Sequence, residues 1–287
     1  MMKRMGILGP KGTHSEAAAI YLNSIVSEPM ELVIYPEIYD VLSAVENGRI
    51  NAGFVPVENS LEGSINITLD TLARSDNLTV TRELIWPVHN QLMAKSEVEI
   101  GDIKRIFSHS QPISQCRNYL LKNCPTAEIC TTSSTAKAAE IVANSDIKEG
   151  LAAICTKRAG ELNGLVTLAK EIQDNKFNST RFFVIRRFNE NFADNSPKNK
   201  VLIICQIRGE RAGALCEVLE EFAFRNVNMT RIESRPARTK LGEYIFFFDL
   251  DTDAAPGMLE ESIEAVNKKS IWLKNLGTFP VIAAEVN

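Results

Sequence analysis

The stretch LTVTRELIWPVHNQLMA, residues 78–94, decides the architecture, because it holds two extended runs with no helix between them. On both sides of it, strands alternate with helices. Upstream, Met5 to Leu8 is an apolar run, GPKGT at 9–13 is turn chemistry, and Ser15 to Leu22 is helix-forming, with Thr13 and Glu16 at capping-box spacing. Leu32 to Tyr35 reads as a strand, and Ile38, Val41, Leu42 and Val45 recur at helical spacing. Ala52 to Val57 is again an apolar strand, ahead of a helix through Ile67, Leu69 and Leu72. Downstream, Ile106 and Phe107 close a strand before a helix holding Ile113, Cys116 and Leu120. Ala136, Ala139, Ile141 and Ala143 mark another helix, Leu151 to Cys155 is a strand, and Phe182 to Ile185 is the last of the set. This alternation predicts βαβ units and a mainly parallel sheet. Residues 78–94 are then a crossing between two α/β lobes. The first lobe spans about Met5 to Ser75 and the second about Ile103 to Gly160, and the chain returns to the first through Phe182 to Ile185. A ligand cleft is expected between the lobes.

Further along, NENFADNSPKN at 189–199 holds four Asn with Ser and Pro, the composition of a solvated linker. It divides the chain into domains at 1–188 and 200–287. After it come strand Val201 to Ile207, a helix with Leu215, Val218, Leu219 and Phe222, strands Met229 to Ser234 and Tyr244 to Leu250, a helix with Leu259, Ile263 and Val266, and strand Trp272 to Phe279. The order βαββαβ is that of a ferredoxin-like sandwich, with both helices on one face of an antiparallel sheet. Phe246, Phe247 and Phe248 are consecutive, so one face cannot hide all three, and a helix layer plus a subunit interface is predicted to cover them. The expected assembly is a homo-oligomer: a dimer through this domain, with a tetramer as the next state.

Composition excludes several classes. The chain has 287 residues, enough for two domains without a disulfide or metal staple, and its 45% hydrophobic and 24% charged residues are those of an ordinary globular protein. Apolar runs such as Ala17 to Leu22 are too short for a bilayer, and MMKRMGILGPKG is too interrupted for a signal peptide, so a cytoplasmic protein with no membrane partner is expected. The net charge of −4 carries no basic excess, which argues against nucleic acid as a partner. Six scattered cysteines form no CxxC pair, and with three histidines they make no metal set. Free thiols and no metal are expected.

Four polar clusters fall where strands end, the position at which α/β folds build sites. In GPKGTHSEAAA (9–19), Gly12 lets backbone approach a ligand, and the helix start offers N–H groups with the Thr13 and Ser15 hydroxyls to an anion. An ordinary capped turn is the alternative. In VPVENSLEGS (55–64), Glu58, Asn59 and Ser60 present acceptor, amide and hydroxyl directly after a buried strand, or else supply a helix cap and a solvated acid. In SHSQPISQC (108–116), His109 is either a group titrating near neutrality or a capping residue. In IQDNKFNSTRFFVI (172–185), Asn178, Ser179, Thr180 and Arg181 precede a strand. Arg181 can grip a carboxylate bidentately, or be a surface charge.

Taken in order, GPKGTHSEAAA, VPVENSLEGSINITLDTL, the Ser108–Gln111 segment with Gln115 and Cys116, STAKAAEI and NSTRFFVI resemble the prephenate dehydratase family over about residues 5–188. GALCEVLEEFAFRNVN and RIESRPAR resemble the ACT regulatory domain attached to it. The resemblance implies a bilobed catalytic domain like the periplasmic binding proteins, followed by a ferredoxin-like ACT domain. It implies conversion of prephenate to phenylpyruvate on the route to phenylalanine, with L-phenylalanine as the inhibiting effector and no cofactor. Its Thr-Arg-Phe motif falls on Thr180, Arg181 and Phe182, with the threonine essential. Its effector motifs fall on Gly213, Ala214 and Leu215, and on Glu233, Ser234, Arg235 and Pro236. Two departures stand out: His14 replaces an aromatic, and residues 108–112 read Ser-His-Ser-Gln-Pro rather than Ser-His-Pro-Gln-Ala.

Losing CO₂ and the ring hydroxyl together requires anion binding, orientation and a proton for the departing oxygen. On this reading Arg181 and the N–H groups near Gly12 and Thr13 take the carboxylates. Ser15, Asn59 and Ser60 orient the substrate beside Glu58 and Phe182, and Thr180 hydrogen-bonds the leaving group and relays its proton. Arogenate dehydration and a non-catalytic small-molecule sensor are the competing readings.

Overall fold

The computed structural model describes residues 2–188, 196–207 and 211–284. The chain begins with β1 (Arg4–Leu8), α1 (His14–Ile25), β2 (Glu31–Tyr35), α2 (Ile38–Glu46), β3 (Ala52–Asn59), β4 (Gly63–Ser64), α3 (Asn66–Arg74) and β5 (Leu78–Pro87). It continues through β6 (Gln91–Ala94), β7 (Arg105–Ser108), α4 (Ser110–Gln115), α5 (Arg117–Asn123), β8 (Glu128–Thr131), α6 (Thr135–Asn144), β9 (Leu151–Cys155), α7 (Lys157–Leu162) and β10 (Val166–Ala169). After β11 (Ser179–Arg187) come β12 (Lys200–Ile207), α8 (Ala214–Ala223), β13 (Met229–Pro236), β14 (Tyr244–Asp251), α9 (Met258–Lys269), β15 (Ser270–Phe279) and β16 (Val281–Ala283). Among the described residues no helix is long and apolar enough to cross a membrane.

Three sheets organise these elements. The first runs β16-β5-β11-β3-β1-β2 with β4 added to β3, the second β10-β6-β9-β7-β8, and the third β13-β14-β12-β15. β5 lies in the first sheet and β6 in the second, so residues 78–94 carry the chain from one lobe to the other between Pro87 and Gln91. The second lobe is larger than the helical alternation indicated, since β6 and β10 both join it. Neither sheet is mainly parallel. β1 pairs in parallel with β2 and β3, and β7 with β8 and β9, but β5, β6, β10 and β11 all run antiparallel to the neighbours they share. These four are the strands by which the chain leaves and re-enters a lobe, without the crossover helix that makes a parallel neighbour.

The helices start where the sequence places polar caps. Thr13 accepts from Glu16 N, Ser134 from Lys137 N and Thr156 from Ala159 N. β3 is apolar on both faces because α1 packs on one side of the first sheet and α2 with α3 on the other.

The third sheet has the βαββαβ order, all its pairings are antiparallel, and α8 and α9 cover one face. Its other face is covered from within the same chain. Leu202, Ile204, Ile245, Phe247, Leu276 and Phe279 form one buried cluster with Val41, Leu42 and Val45 of α2, Leu69 and Leu72 of α3, and Phe183 of β11. Strand alternation sends Phe248 under the helices and Phe247 into this shared core. The expectation that a second subunit covers the phenylalanine run is therefore corrected at Phe247. β16 extends the union by pairing in parallel with β5. Most of the sequence linker, 189–195, lies outside the described residues.

Candidate active site

A cavity of about 190 Å³ opens between the two lobes. From the first lobe, β11 contributes Thr180 and Phe182, β3 contributes Pro56 and Asn59, and α1 contributes His14 and Ser15. The crossing supplies Val88 and Asn90, and α4 of the second lobe supplies Gln111, Pro112 and Gln115. Phe182 floors it, stacked on Phe54 with ring centroids 4.7 Å apart.

The polar groups are wired in a fixed direction. Asn59 Oδ1 accepts from Leu61 N and Glu62 N at 3.0 and 3.1 Å, which identifies that atom as the oxygen. Its Nδ2 therefore donates, to Asn178 Oδ1 at 2.9 Å and to Thr180 Oγ1 at 3.0 Å. Thr180 Oγ1 is thus already an acceptor, which leaves its own O–H to donate elsewhere. Asn178 Nδ2 passes on to Gln115 Oε1 at 3.2 Å, so the chain of amides crosses from the first lobe to the second. Asn90, fully buried, donates its N–H to Gln173 Oε1 at 2.9 Å, and its own Oδ1 has no partner among the described residues.

His14 is half-buried in this wall. Burial lowers its pKa to about 4, against the opposing influence of the neighbouring Asn90 amide and with a further lowering from His89, so the imidazole is neutral near pH 7. Its Nε2 is buried without a hydrogen-bond partner among the described residues. Cys116, behind Gln115, is no nucleophile, since burial first and Asp174 second push its thiol up to about 12.

Not every expected site residue is here. Thr180, Phe182, Asn59 and Ser15 line the cavity. Arg181 and Glu58 do not: side chains alternate along β11, and a register shift between the Arg181–Glu58 and Phe182–Pro56 pairs lets β3 keep Glu58 beside Arg181 on the opposite face. There Arg181 donates to Glu83 at 2.8 and 2.9 Å, to Glu58 at 2.7 Å and to Asp249 of β14 at 2.5 Å. Burial alone would lower the Arg181 pKa, but Glu83 and Asp249 outweigh it and hold the guanidinium charged. The carboxylate-gripping role read for Arg181 is corrected: its fork is filled by protein carboxylates.

Ser60 is exposed and accepts from Ser179 N at 3.0 Å, tying β3 to β11. Gly12, at φ +82°, donates its N–H to Glu16 Oε2 at 2.6 Å, and its carbonyl accepts from Thr156 Oγ1 at 2.6 Å. A Cβ there would lie 3.0 Å from Ala159, so this glycine serves close contact between lobes rather than an anion. Thr13 is the α1 cap. His109 caps α4, accepting from Gln111 N at 3.4 Å.

Among the described residues no charged side chain lines the Thr180 cavity. A second cavity of about 310 Å³ adjoins it at His14 and is rich in cations, with Lys157, Arg158, Lys170 and His89 beside Trp86 and Thr156. Lys157 lies 3.7 Å from Glu161 and Arg158 3.6 Å from Glu16, while Lys170 has no ion pair among the described residues. Sequence reasoning passed over these cations, because nothing in TKRAG or LAKEI marks them as facing a cleft. It also left Asn90 in the crossing unremarked.

In the third-sheet unit, Ala214 and Leu215 line a groove of about 630 Å³ with Leu241, Tyr244 and Phe246, and Gly213 at φ +87° begins α8 beside it. No residue of the 229–236 strand lines this groove, although Ser234 and Pro236 pair with its Phe246 and Tyr244. Arg235 turns to Asp70 of α3 at 3.2 Å and Glu233 to Arg231 at 3.4 Å, whereas Ser234 and Pro236 are exposed. Arg235, read from the sequence as an effector contact, makes an ion pair between units.

Comparison with known proteins shows one family by sequence. The family model described as prephenate dehydratase matches residues 5–190. A protein of Methanocaldococcus jannaschii named prephenate dehydratase is 36% identical over 272 residues, 95% of this chain and 96% of that protein. Among solved structures, the prephenate dehydratase of Arthrobacter aurescens in complex with L-Phe has a TM-score of 0.84 at 33% identity, covering 96% of this chain and 90% of that one. The prephenate dehydratase of Staphylococcus aureus subsp. aureus Mu50 has a TM-score of 0.81 at 31% identity, covering 97% and 100%.

Proposed function

The chain belongs to the prephenate dehydratase family, and from that premise we propose that it converts prephenate to phenylpyruvate, a step of phenylalanine biosynthesis, in the cavity that Thr180 lines. The observation that carries this is the directed pair Asn59–Thr180, which leaves one hydroxyl proton free at the floor of an inter-lobe cleft. In the reaction, the ring carbon bearing the carboxylate loses CO₂. The electrons of that bond enter the ring as the C–O bond to the ring hydroxyl breaks. The departing hydroxide takes up a proton and leaves as water, and the ring becomes aromatic.

Thr180 donates its hydrogen bond to the departing oxygen. An aliphatic hydroxyl is too weak an acid to be the final source, so it relays a proton rather than supplying one. Asn59 and Asn178 hold it in register, Phe182 takes the face of the ring, and Ser15 adds a hydroxyl to the wall. The carboxylates of a dianion need cations, which the Thr180 cavity lacks; Arg158 and Lys170 of the adjoining cavity take that role.

The unit from residue 200 to 287 is an ACT-type regulatory domain following a catalytic domain at 1–188 of periplasmic-binding-protein type. Its βαββαβ order and the L-Phe complex of the Arthrobacter relative support this reading, with L-phenylalanine as inhibiting effector. Gly213, Ala214 and Leu215 bound the effector groove. The exposed edge of β13, with Ser234 and Pro236, is the surface for a dimer in the cytoplasm.

One assay tests the reading: the purified chain with prephenate or arogenate, each with and without L-phenylalanine. Phenylpyruvate from prephenate, slowed by L-phenylalanine, is expected. Phenylalanine formed from arogenate would move the substrate, and no product from either would leave a ligand sensor.

A further inference from the structure

The paired strands that carry the site also carry, one residue along, the charges that meet the C-terminal unit. In the β3–β11 register, Thr180 is opposite Asn59 and Arg181 is opposite Glu58. Thr180 and Asn59 point into the cavity, whereas Arg181 and Glu58 project from the reverse face of the same strands. Behind the site, Arg181 reaches Asp249 at 2.5 Å, and Glu58 reaches Arg231 Nε at 3.2 Å, with Arg231 Nη2 donating to Ser64 Oγ at 2.7 Å. Glu83 closes the group, held by Arg181 and lying 3.7 Å from Lys200. Asp249, Arg231 and Lys200 belong to the third sheet, whereas Arg181, Glu58 and Glu83 belong to the first. Asp249 and Glu83 are fully buried, so neither charge can turn to water if its partner moves.

We propose that the C-terminal unit positions the Asn59–Thr180 pair through these contacts, with Asp249 and Arg231 acting as positioning residues on the backs of β11 and β3. A displacement of β13 or β14 then pulls on Arg181 and Glu58, and through one peptide unit each on Thr180 and Asn59. This is the route by which occupancy of the C-terminal unit alters catalysis, and it rests on the assignment of Thr180 as the residue that meets the substrate. A hydrogen-bonded pair set to within tenths of an ångström is sensitive to such a pull, since misplacement of a reacting group by about 1 Å costs on the order of 10²-fold in rate.

The test compares the full wild-type chain with Asp249→Asn, which keeps the shape and removes the charge. Amide exchange is expected to quicken at least about tenfold, a change of about 1.4 kcal/mol, in segments 56–62 and 178–184, and to stay at the wild-type rate in β1 and β2. In turnover of prephenate, kcat falls while KM is held, and the response to L-phenylalanine weakens. Asp249→Glu, which restores the charge, recovers part of both. Unchanged exchange in the two segments overturns the proposal, and so does an equal rise in β1 and β2, which marks general loosening. Should Asp249→Asn fail to fold, Arg231→Gln is read in the same two segments. A wild-type chain without prephenate turnover sinks the assigned reaction, while the exchange comparison still decides the coupling.

Discussion

Asn59 Nδ2 donates to Thr180 Oγ1 at 3.0 Å across the β3–β11 pair, and the direction of that bond is set two residues away, where Leu61 and Glu62 both donate to Asn59 Oδ1. The amide cannot flip without losing two backbone partners. A hydroxyl that accepts from a fixed donor has its proton turned outward, so Asn59 makes Thr180 a donor toward whatever occupies the cavity. Asn59→Asp reverses this: a carboxylate accepts the threonine proton instead of supplying one. Turnover of prephenate is expected to fall at least about 10²-fold, the lower range for loss of acid–base assistance, with KM changed far less. Thr180→Ala should fall comparably and Thr180→Ser should retain most of the rate. Steady-state kinetics on the three variants checks this, and near-normal kcat in Asn59→Asp would refute the directed bond.

The cations of the adjoining cavity give a separable prediction. Arg158 is partly exposed and lines the adjoining cavity, and its Nε lies 3.6 Å from Glu16 Oε2, an ion pair without a hydrogen bond for which a ligand carboxylate can compete. A hydrogen bond to a charged group contributes about 1.5–3 kcal/mol. Arg158→Gln should therefore raise KM for prephenate about tenfold or more and leave kcat near wild type, with Lys170→Gln acting in the same direction. Arg181→Lys, in contrast, should lower stability and kcat rather than affinity, because Arg181 grips Glu83, Glu58 and Asp249. An unchanged KM in Arg158→Gln would return the carboxylates to another part of the cleft.

A core shared between catalytic and C-terminal units predicts one unfolding transition. Phe247 has no exposed surface and packs in the cluster that includes α2, α3 and Phe183. Phe247→Ala should cost about 3–5 kcal/mol, with both units losing stability together. The two tryptophans report on the units separately, Trp86 in β5 and Trp272 in β15. Single-tryptophan variants, Trp86→Phe and Trp272→Phe, should give the same urea midpoint. Two midpoints would show units that unfold independently.

How much of this was legible in the sequence differs by level. The lobe crossing is legible because residues 78–94 break the helical spacing, and the βαββαβ order because each amphipathic run is bounded by turn residues. The return of β16 to the first sheet is not, since VIA at 281–283 is too short to carry a period and its partner β5 is two hundred residues away. Alternation along β11 separates Thr180 and Phe182 from Arg181 and Phe183 in the sequence itself. Which of the two faces meets the cleft depends on where the third sheet docks, and no local pattern states that. Gly12 and Thr13 show the same limit: a glycine turn ahead of a helix has the same composition whether its N–H groups meet an anion or, as here, the carboxylate of Glu16.

His14, at the start of α1, gives stability a pH dependence whose sign follows from its environment. Burial holds its folded-state pKa at about 4, below the 6.5 expected of the unfolded chain. Above pH 6.5 the imidazole is neutral in both states and contributes no slope. Between 6.5 and about 4 the unfolded chain takes up a proton that the folded chain refuses, so stability falls as the pH falls and levels off below about 4. The full amplitude is about 3–4 kcal/mol, at 1.36 kcal/mol for each unit of difference. His14→Tyr removes the titration while filling the same wall with an aromatic. Urea midpoints measured from pH 7 to pH 4 should decline for the wild type and decline less for His14→Tyr, the gap widening steadily below pH 6.5. Parallel curves for the two proteins would place the titrating burden elsewhere and show that His14 takes up its proton in the folded chain as readily as in the unfolded one.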